Sequence, residues 1–226
     1  MKVTFYGQAC VGVEMNGTHI LFDPFITPNE QASHINIDDI AADYILLTHA
    51  HGDHIADVEH IAKKNGSTII ANYEVASHYG EKGFNIHPMN HGGKTKFDFG
   101  TVKMVNAVHS SVFPNGSYGG NPAGFVIWGG GKSFYHAGDT ALTMDMQLIP
   151  LTCPRLDFAI LPIGDNFTMG YEDAVIAADF VKAEKTLGVH YDTFPYIEID
   201  HAAAKKTFAD SGKELILLSI GESADF

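Results

Sequence analysis

Apolar positions along the chain fall into two rhythms, and the pattern changes three times. KVTFYGQACVGVEMNGTHILFDPF (2–25) alternates apolar and polar residues, and Asn16-Gly17 is a hairpin turn signal. Two or three short strands are expected, the last ending at Asp23-Pro24. A looser segment covers 26–42. DYILL (43–47) then reads as a buried strand, and ADVEHIAKKNG (56–66) as a helix stopped by Gly66. STIIA is a strand and YEVASHYGEKG a helix ending at Gly83. FNIHPM, KFDFGTVKMVNAVH, AGFVIWG and KSFYHAG follow as strands, with Gly129-Gly130-Gly131 as a hairpin turn. After residue 140 the pattern predicts a helix over TALTMDMQLIP, a strand over LDFAILPIG, a helix over YEDAVIAADFVKA, a strand over TLGVHY, a helix over HAAAKKTFADSG and a last strand over ELILLSIG.

The order is strand-rich, then βα, then strand-rich, then βα again. That describes two similar halves, each a sheet with helices on its outer side. Packed face to face they give an α/β fold, the four-layer αββα sandwich. Glycine and proline are scattered, no composition break marks a boundary, and residues 1–226 are expected to form a single domain.

One stretch breaks the apolar grammar. LLTHAHGDHI (46–55) puts His49, His51, Asp53 and His54 directly after the apolar run. Imidazoles and carboxylates are poor core material, and a metal would reward the crowding. At an extended strand end, residues i and i+2 point the same way, so His49 and His51 can grip one ion. Asp53 and His54 lie beyond Gly52, where the chain can turn toward a second. Further ligands are sought at strand ends next to small or turn residues: His109 after TVKMVNAV, Asp139 after SFYHAG and His190 after TLGV.

Composition narrows the function. The formal charge is −13, and Arg155 is the one arginine among 14 basic residues, so no basic stripe suits a nucleic acid. Cys10 and Cys153 form no CxxC pair. No apolar run approaches a membrane span, and the N-terminus alternates like a strand and not like a signal peptide. A cytoplasmic protein acting on a small molecule, with no membrane or nucleic-acid partner, is expected.

HAHGDH, then His109, then AGDT with Asp139, then His190, together with FDP at 22–24, resembles the ordered motif set of the metallo-β-lactamase superfamily over nearly the whole chain. LPIGDNFTMG (161–170) and GVHYDTFP (188–195) are similar to its branch of metal-dependent hydrolases near the ascorbate-6-phosphate lactonase and N-acyl-phosphatidylethanolamine phospholipase D relatives. The resemblance implies two divalent ions. His49, His51 and His109 would hold the first, Asp53, His54 and His190 the second, and Asp139 would bridge them. Asp53 and His54 are then the catalytic pair as well as ligands, Asp53 holding or relaying a proton. Asp23 would orient a ligating imidazole or its loop. Sulfur-free ligation suits zinc and tolerates manganese, iron or nickel. The reaction implied is hydrolysis of a small ester, lactone or phosphodiester by a metal-bridged hydroxide. Relatives often form oligomers, so a homo-oligomer is expected by analogy.

Other residues carry less. His136 is expected to be buried and structural, since alternation points it away from Asp139. His91, Asp165 and Asn166 are candidates for the mouth of the site or for substrate contact, and the segment 110–124, with Tyr118, Gly119 and Gly120, for a lid. Asp139 stands where the best-known zinc β-lactamases carry a cysteine, which argues against antibiotic hydrolysis. Any substrate phosphate would fall to the metals, backbone amides and a lysine such as Lys94. Two rival readings remain: a mononuclear iron oxidoreductase on the same fold, and a non-catalytic metal-binding protein.

Overall fold

The computed structural model describes residues 1–226. The first half opens with an antiparallel meander of β1 (Lys2–Gly7), β2 (Cys10–Met15) and β3 (Thr18–Phe22). It continues through β4 (Tyr44–Leu46), α1 (Gly52–Ile55), α2 (Val58–Asn65), β5 (Thr68–Asn72), α3 (Tyr73–Glu81) and β6 (Asn85–Met89), with β3 to β6 parallel. The second half repeats the plan. β7 (Lys94–Phe97), β8 (Gly100–Asn106), β9 (Ala123–Gly129) and β10 (Lys132–His136) form a meander. Then come α4 (Ile149–Thr152), β11 (Phe158–Pro162), α5 (Tyr171–Phe180), β12 (Lys185–Val189), α6 (His201–Asp210) and β13 (Glu214–Ile216), with β10 to β13 parallel. A final strand, β14 (Ser223–Asp225), returns to the first sheet and pairs with β1. The two seven-stranded sheets run β14-β1-β2-β3-β4-β5-β6 and β13-β12-β11-β10-β9-β8-β7.

Side-chain alternation sends each strand's residues to two cores. Phe158 and Ile160 of β11 enter the core between the sheets, while Ala159 and Leu161 pack outward with Ala174, Ala178 and Phe208 of α5 and α6. Ile70 of β5 points inward, and Ile69 and Ala71 meet Val58, Ile61 and Val75 of α2 and α3. Three cores separate four layers, as the sandwich requires. Phe22, Phe134 and Phe158 form an aromatic chain across the middle: Phe22 meets Phe134 edge-on at 6.0 Å, and Phe134 stacks on Phe158 at 5.2 Å.

Several expectations change. KFDFGTVKMVNAVH is a hairpin and not one strand, because the chain turns through Asp98-Phe99 and pairs Phe97 with Gly100. Gly100 sits at φ +154°, and a Cβ there would lie 2.4 Å from the Trp128 carbonyl oxygen. β8 therefore stops at Asn106, and His109 lies in the following loop, not at a strand end. TALTMDMQLIP gives a 3-10 turn at Met144–Leu148 and the single turn α4, since the Thr143 side chain caps Asp145 N–H. β13 is shorter than ELILLSIG, because the residues after it cross to deliver β14.

Phe134→Ala removes a fully buried ring from the central core. It is expected to lower unfolding free energy by about 3–5 kcal/mol in denaturant titration.

Candidate metal centre

Parallel strands share one carboxyl end, and in this sandwich both sheets bring theirs to the same edge. Asp23 follows β3, His49 follows β4 by two residues, Asp139 follows β10 by two, and His190 directly follows β12. His109 arrives from the loop after β8. His51 is the residue before α1, whose single turn carries Asp53 and His54. Sheet backbones fix the strand ends, and the loops beyond them are free to carry polar groups.

Asp23 is buried and organises the first half of the centre. Its Oδ1 accepts Thr48 N–H at 2.8 Å, and its Oδ2 accepts the Thr48 hydroxyl at 2.7 Å and His54 Nδ1–H at 2.9 Å. The Thr48 hydroxyl has one proton and gives it to the carboxylate, so at its 3.0 Å contact with His49 Nδ1 it accepts. Both imidazoles are thus held as Nδ1–H tautomers with Nε2 aimed inward. His51 presents Nδ1 instead, 3.0 Å from His49 Nε2, while its Nε2 faces Ser110 Oγ at 3.4 Å.

The second half is held by strain and by Gln8. His190 adopts a left-handed backbone, φ +56°, and its N–H donates to the Gln8 carbonyl at 2.8 Å. Gln8 is buried in the β1–β2 turn, and its Nε2 donates to Asp53 Oδ2 at 2.9 Å. Left-handed geometry costs a residue other than glycine about 1–2 kcal/mol. Asp23, at φ +43°, bears it too.

Three groups of ligand atoms result: His49, His51 and His109; His49, His54 and Asp139; and Asp53, His54 and His190. Asp139 Oδ2 stands among them, 3.0 Å from His190 Nε2, 3.3 Å from His54, 3.6 Å from His109 and 3.9 Å from His49. Asp53 Oδ2 is 3.4 Å from His54 Nε2 and 3.6 Å from His190 Nε2. The donors fit cations. His54 Nε2 and Asp139 Oδ1 are buried without a hydrogen-bond partner, and His49 turns the lone pair of its Nε2 toward the same space. The charges agree. Burial pulls His49, His51 and His109 below the usual imidazole range. Burial also lowers His54 and His190, but Asp139 and Asp53 outweigh it, so His54 stands well above that range and His190 at about 9. Burial would raise the two carboxyls, yet His190 and His54 hold Asp139, and His54 holds Asp53, well below the carboxylate range.

The sequence model of the beta-lactamase superfamily domain matches residues 18–191. A UPF0173 metal-dependent hydrolase of Flavobacterium johnsoniae is 62% identical over 225 residues, covering 100% of both chains. The chain belongs to this family. The UPF0173 metal-dependent hydrolase YtkL of Bacillus subtilis is 47% identical over 232 residues, again covering 100% of both. Among solved structures, Igni18, a metallo hydrolase from Ignicoccus hospitalis, is 32% identical with a TM-score of 0.89, covering 100% of this chain and 98% of the other. The isothiocyanate hydrolase from Delia radicum gut bacteria shares the fold, with a TM-score of 0.80 at 19% identity, covering 100% and 99%.

In this UPF0173 chain the seven ligand candidates and Asp23 come together, and three other candidates do not. His91 Nε2 faces the Pro122 carbonyl at 2.8 Å, which ties down the 110–122 loop away from the centre. Asp165 and Asn166 occupy left-handed turn positions, and the residue that this turn turns to the cavity is Phe167. The 110–124 segment is pinned by Asn72 Nδ2 to the Gly119 and Asn121 carbonyls and gives the cavity only Ser110. His136 is buried and stacked on Phe22 at 4.5 Å, with its Nδ1 accepting Gly138 N–H. Thr48, Gln8 and Ser110 were missed. Thr48 was visible beside His49, but Gln8 meets Asp53 only across 45 positions of sequence.

Asp23→Asn tolerates the left-handed backbone but accepts fewer of these hydrogen bonds, and metal affinity should fall about 10–100-fold in chelator competition. Metal loading must also displace protons. Raised pKa values leave His54 and His190 protonated at neutral pH without metal, and ligation needs them neutral. Affinity should therefore climb as pH rises toward about 9. Calorimetric titrations in buffers of different ionisation enthalpy should show proton release at neutral pH.

Proposed function

We propose that the protein hydrolyses a small ester, lactone or phosphodiester using two divalent cations, with zinc the best match to the donors and manganese, iron or nickel tolerated. The observation carrying this reading is Asp139 Oδ2 placed between two ligand groups at the floor of a cavity of about 580 Å³. Two cations so held supply a water acidic enough to act as hydroxide near neutral pH and an electrophile for the substrate oxygen. The chain's own residues do the rest. Asp23 and Thr48 fix the tautomers of His49 and His54, so no reorganisation is needed during the reaction. Asp53, partly open to the cavity, is held by Gln8 with Oδ2 toward His54 and His190, and that oxygen is placed to take up or pass on a proton. No serine or cysteine nucleophile is required: Cys10 is enclosed in a separate core, and burial pushes its thiol far up.

Protein purified without added metal or chelator should contain about two equivalents of divalent metal per chain by elemental mass spectrometry. Asp139→Asn and His49→Ala should each lose hydrolysis by several orders of magnitude while the circular dichroism spectrum persists. One equivalent of iron would favour the oxidoreductase reading. Failure to take up any metal would end the hydrolase reading.

A further inference from the structure

The cavity over the metal centre has a wall as well as a floor. Apart from ligand candidates and Ser110, it is lined by Phe167, Phe194, Pro195 and Tyr196. No lysine or arginine lines it, and Lys94 lies on the edge strand β7. Phe167 is 51% exposed and Tyr196 75% exposed, so these rings contribute little to folding where they stand. They pack edge-on against each other at 6.2 Å at the cavity mouth, and Phe194 packs against Phe25 at 6.3 Å.

Two constrained loops hold this rim in place. Phe167 rides on a turn closed by the Gly164–Gly170 bridge, with Asp165 and Asn166 at φ +60° and +55°. Phe194, Pro195 and Tyr196 ride on a loop gathered by Asp192, itself at φ +60°. Asp192 N–H donates to the Ile197 carbonyl, its Oδ1 accepts Ile199 N–H, its Oδ2 meets His201 Nε2 at 2.5 Å, and its carbonyl accepts Gln31 Nε2. Three strained residues thus support loops whose product is apolar surface facing water above a polar floor. Such a patch marks a binding site.

On the hydrolase reading above, we infer that the non-reacting part of the substrate is uncharged and apolar, with an aromatic or similarly flat group packed against the cavity-facing surfaces of Phe167 and Tyr196. In an ester or lactone of this kind, hydrolysis adds water across the acyl C–O bond and releases a carboxylic acid and a hydroxyl group, joined in one molecule when a lactone opens. An anionic tail has no lysine or arginine to meet on this wall. An apolar tail is desolvated against aromatic faces.

Three 4-nitrophenyl esters with one leaving group test this: acetate, phenylacetate and hemisuccinate. Phenylacetate should exceed acetate in kcat/KM by about tenfold or more, the scale of apolar pocket discrimination, and hemisuccinate should fall below acetate. In Phe167→Ala/Tyr196→Ala the phenylacetate advantage should shrink toward one, chiefly through KM. A second measurement does not need turnover. Phenylacetohydroxamic and acetohydroxamic acids share a metal-binding head, and calorimetry on metal-loaded protein should show the phenyl compound binding more tightly in the wild type and not in the double variant. Equal hydroxamate affinities in the wild type, a preference that survives both substitutions, or a preference for hemisuccinate would overturn the inference. Hydroxamate discrimination with no ester cleaved would uphold the apolar wall and remove these carboxylic esters from the hydrolase reading.

Discussion

The carboxylate of Asp23 is the point on which the centre turns. It is fully buried, sits directly after β3, and spends its oxygens on Thr48 and His54. A buried carboxylate is expensive unless its lone pairs are used, and these uses fix the orientation of two imidazoles. They also lock the end of β3 to the end of β4, so the register of the first sheet and the aim of the first ligands are one constraint.

The opposite sheet answers with Asp139 and His190. Bringing these groups against His54 and Asp53 concentrates two carboxylates and several imidazoles in a largely buried space, and shared protons or cations offset the cost. The opposing pKa shifts within the cluster, His49 down and His54 up, express the same pressure. They tie the site to both halves of the sandwich: Asp139 of the second half raises His54 of the first, and Asp53 of the first raises His190 of the second. No helix is long and apolar enough to cross a membrane, so the apolar surface at the cavity mouth belongs to no spanning helix.

Above this rigid floor the construction changes. The floor rests on strand ends, on α1 and on the loop after β8, whereas the wall rests on two short loops with Asp165, Asn166 and Asp192 in left-handed geometry. Variation in such loops leaves the sheets untouched, so the chemistry of the floor and the shape of the wall are separable properties.

The sequence by itself determined the layered architecture and the candidate ligands that the fold gathers at one edge. Period-two and helical patterns are local, and HAHGDH concentrates its meaning within six positions, so both are legible without neighbours. It misplaced what depends on contact. The hairpin at Asp98-Phe99 and the strand β14 are decided by pairing with distant backbone, and neither has a strong apolar rhythm of its own. Asp165 and Asn166 looked functional because they are polar and follow a buried strand, yet their left-handed backbones make them the support for Phe167. Gln8 gave no signal, since its role exists only where the β1–β2 turn meets Asp53. Tertiary structure alone decided which side chains face the cavity, because facing is a relation between two sheets and the loops at their shared edge, and no single stretch of chain contains it.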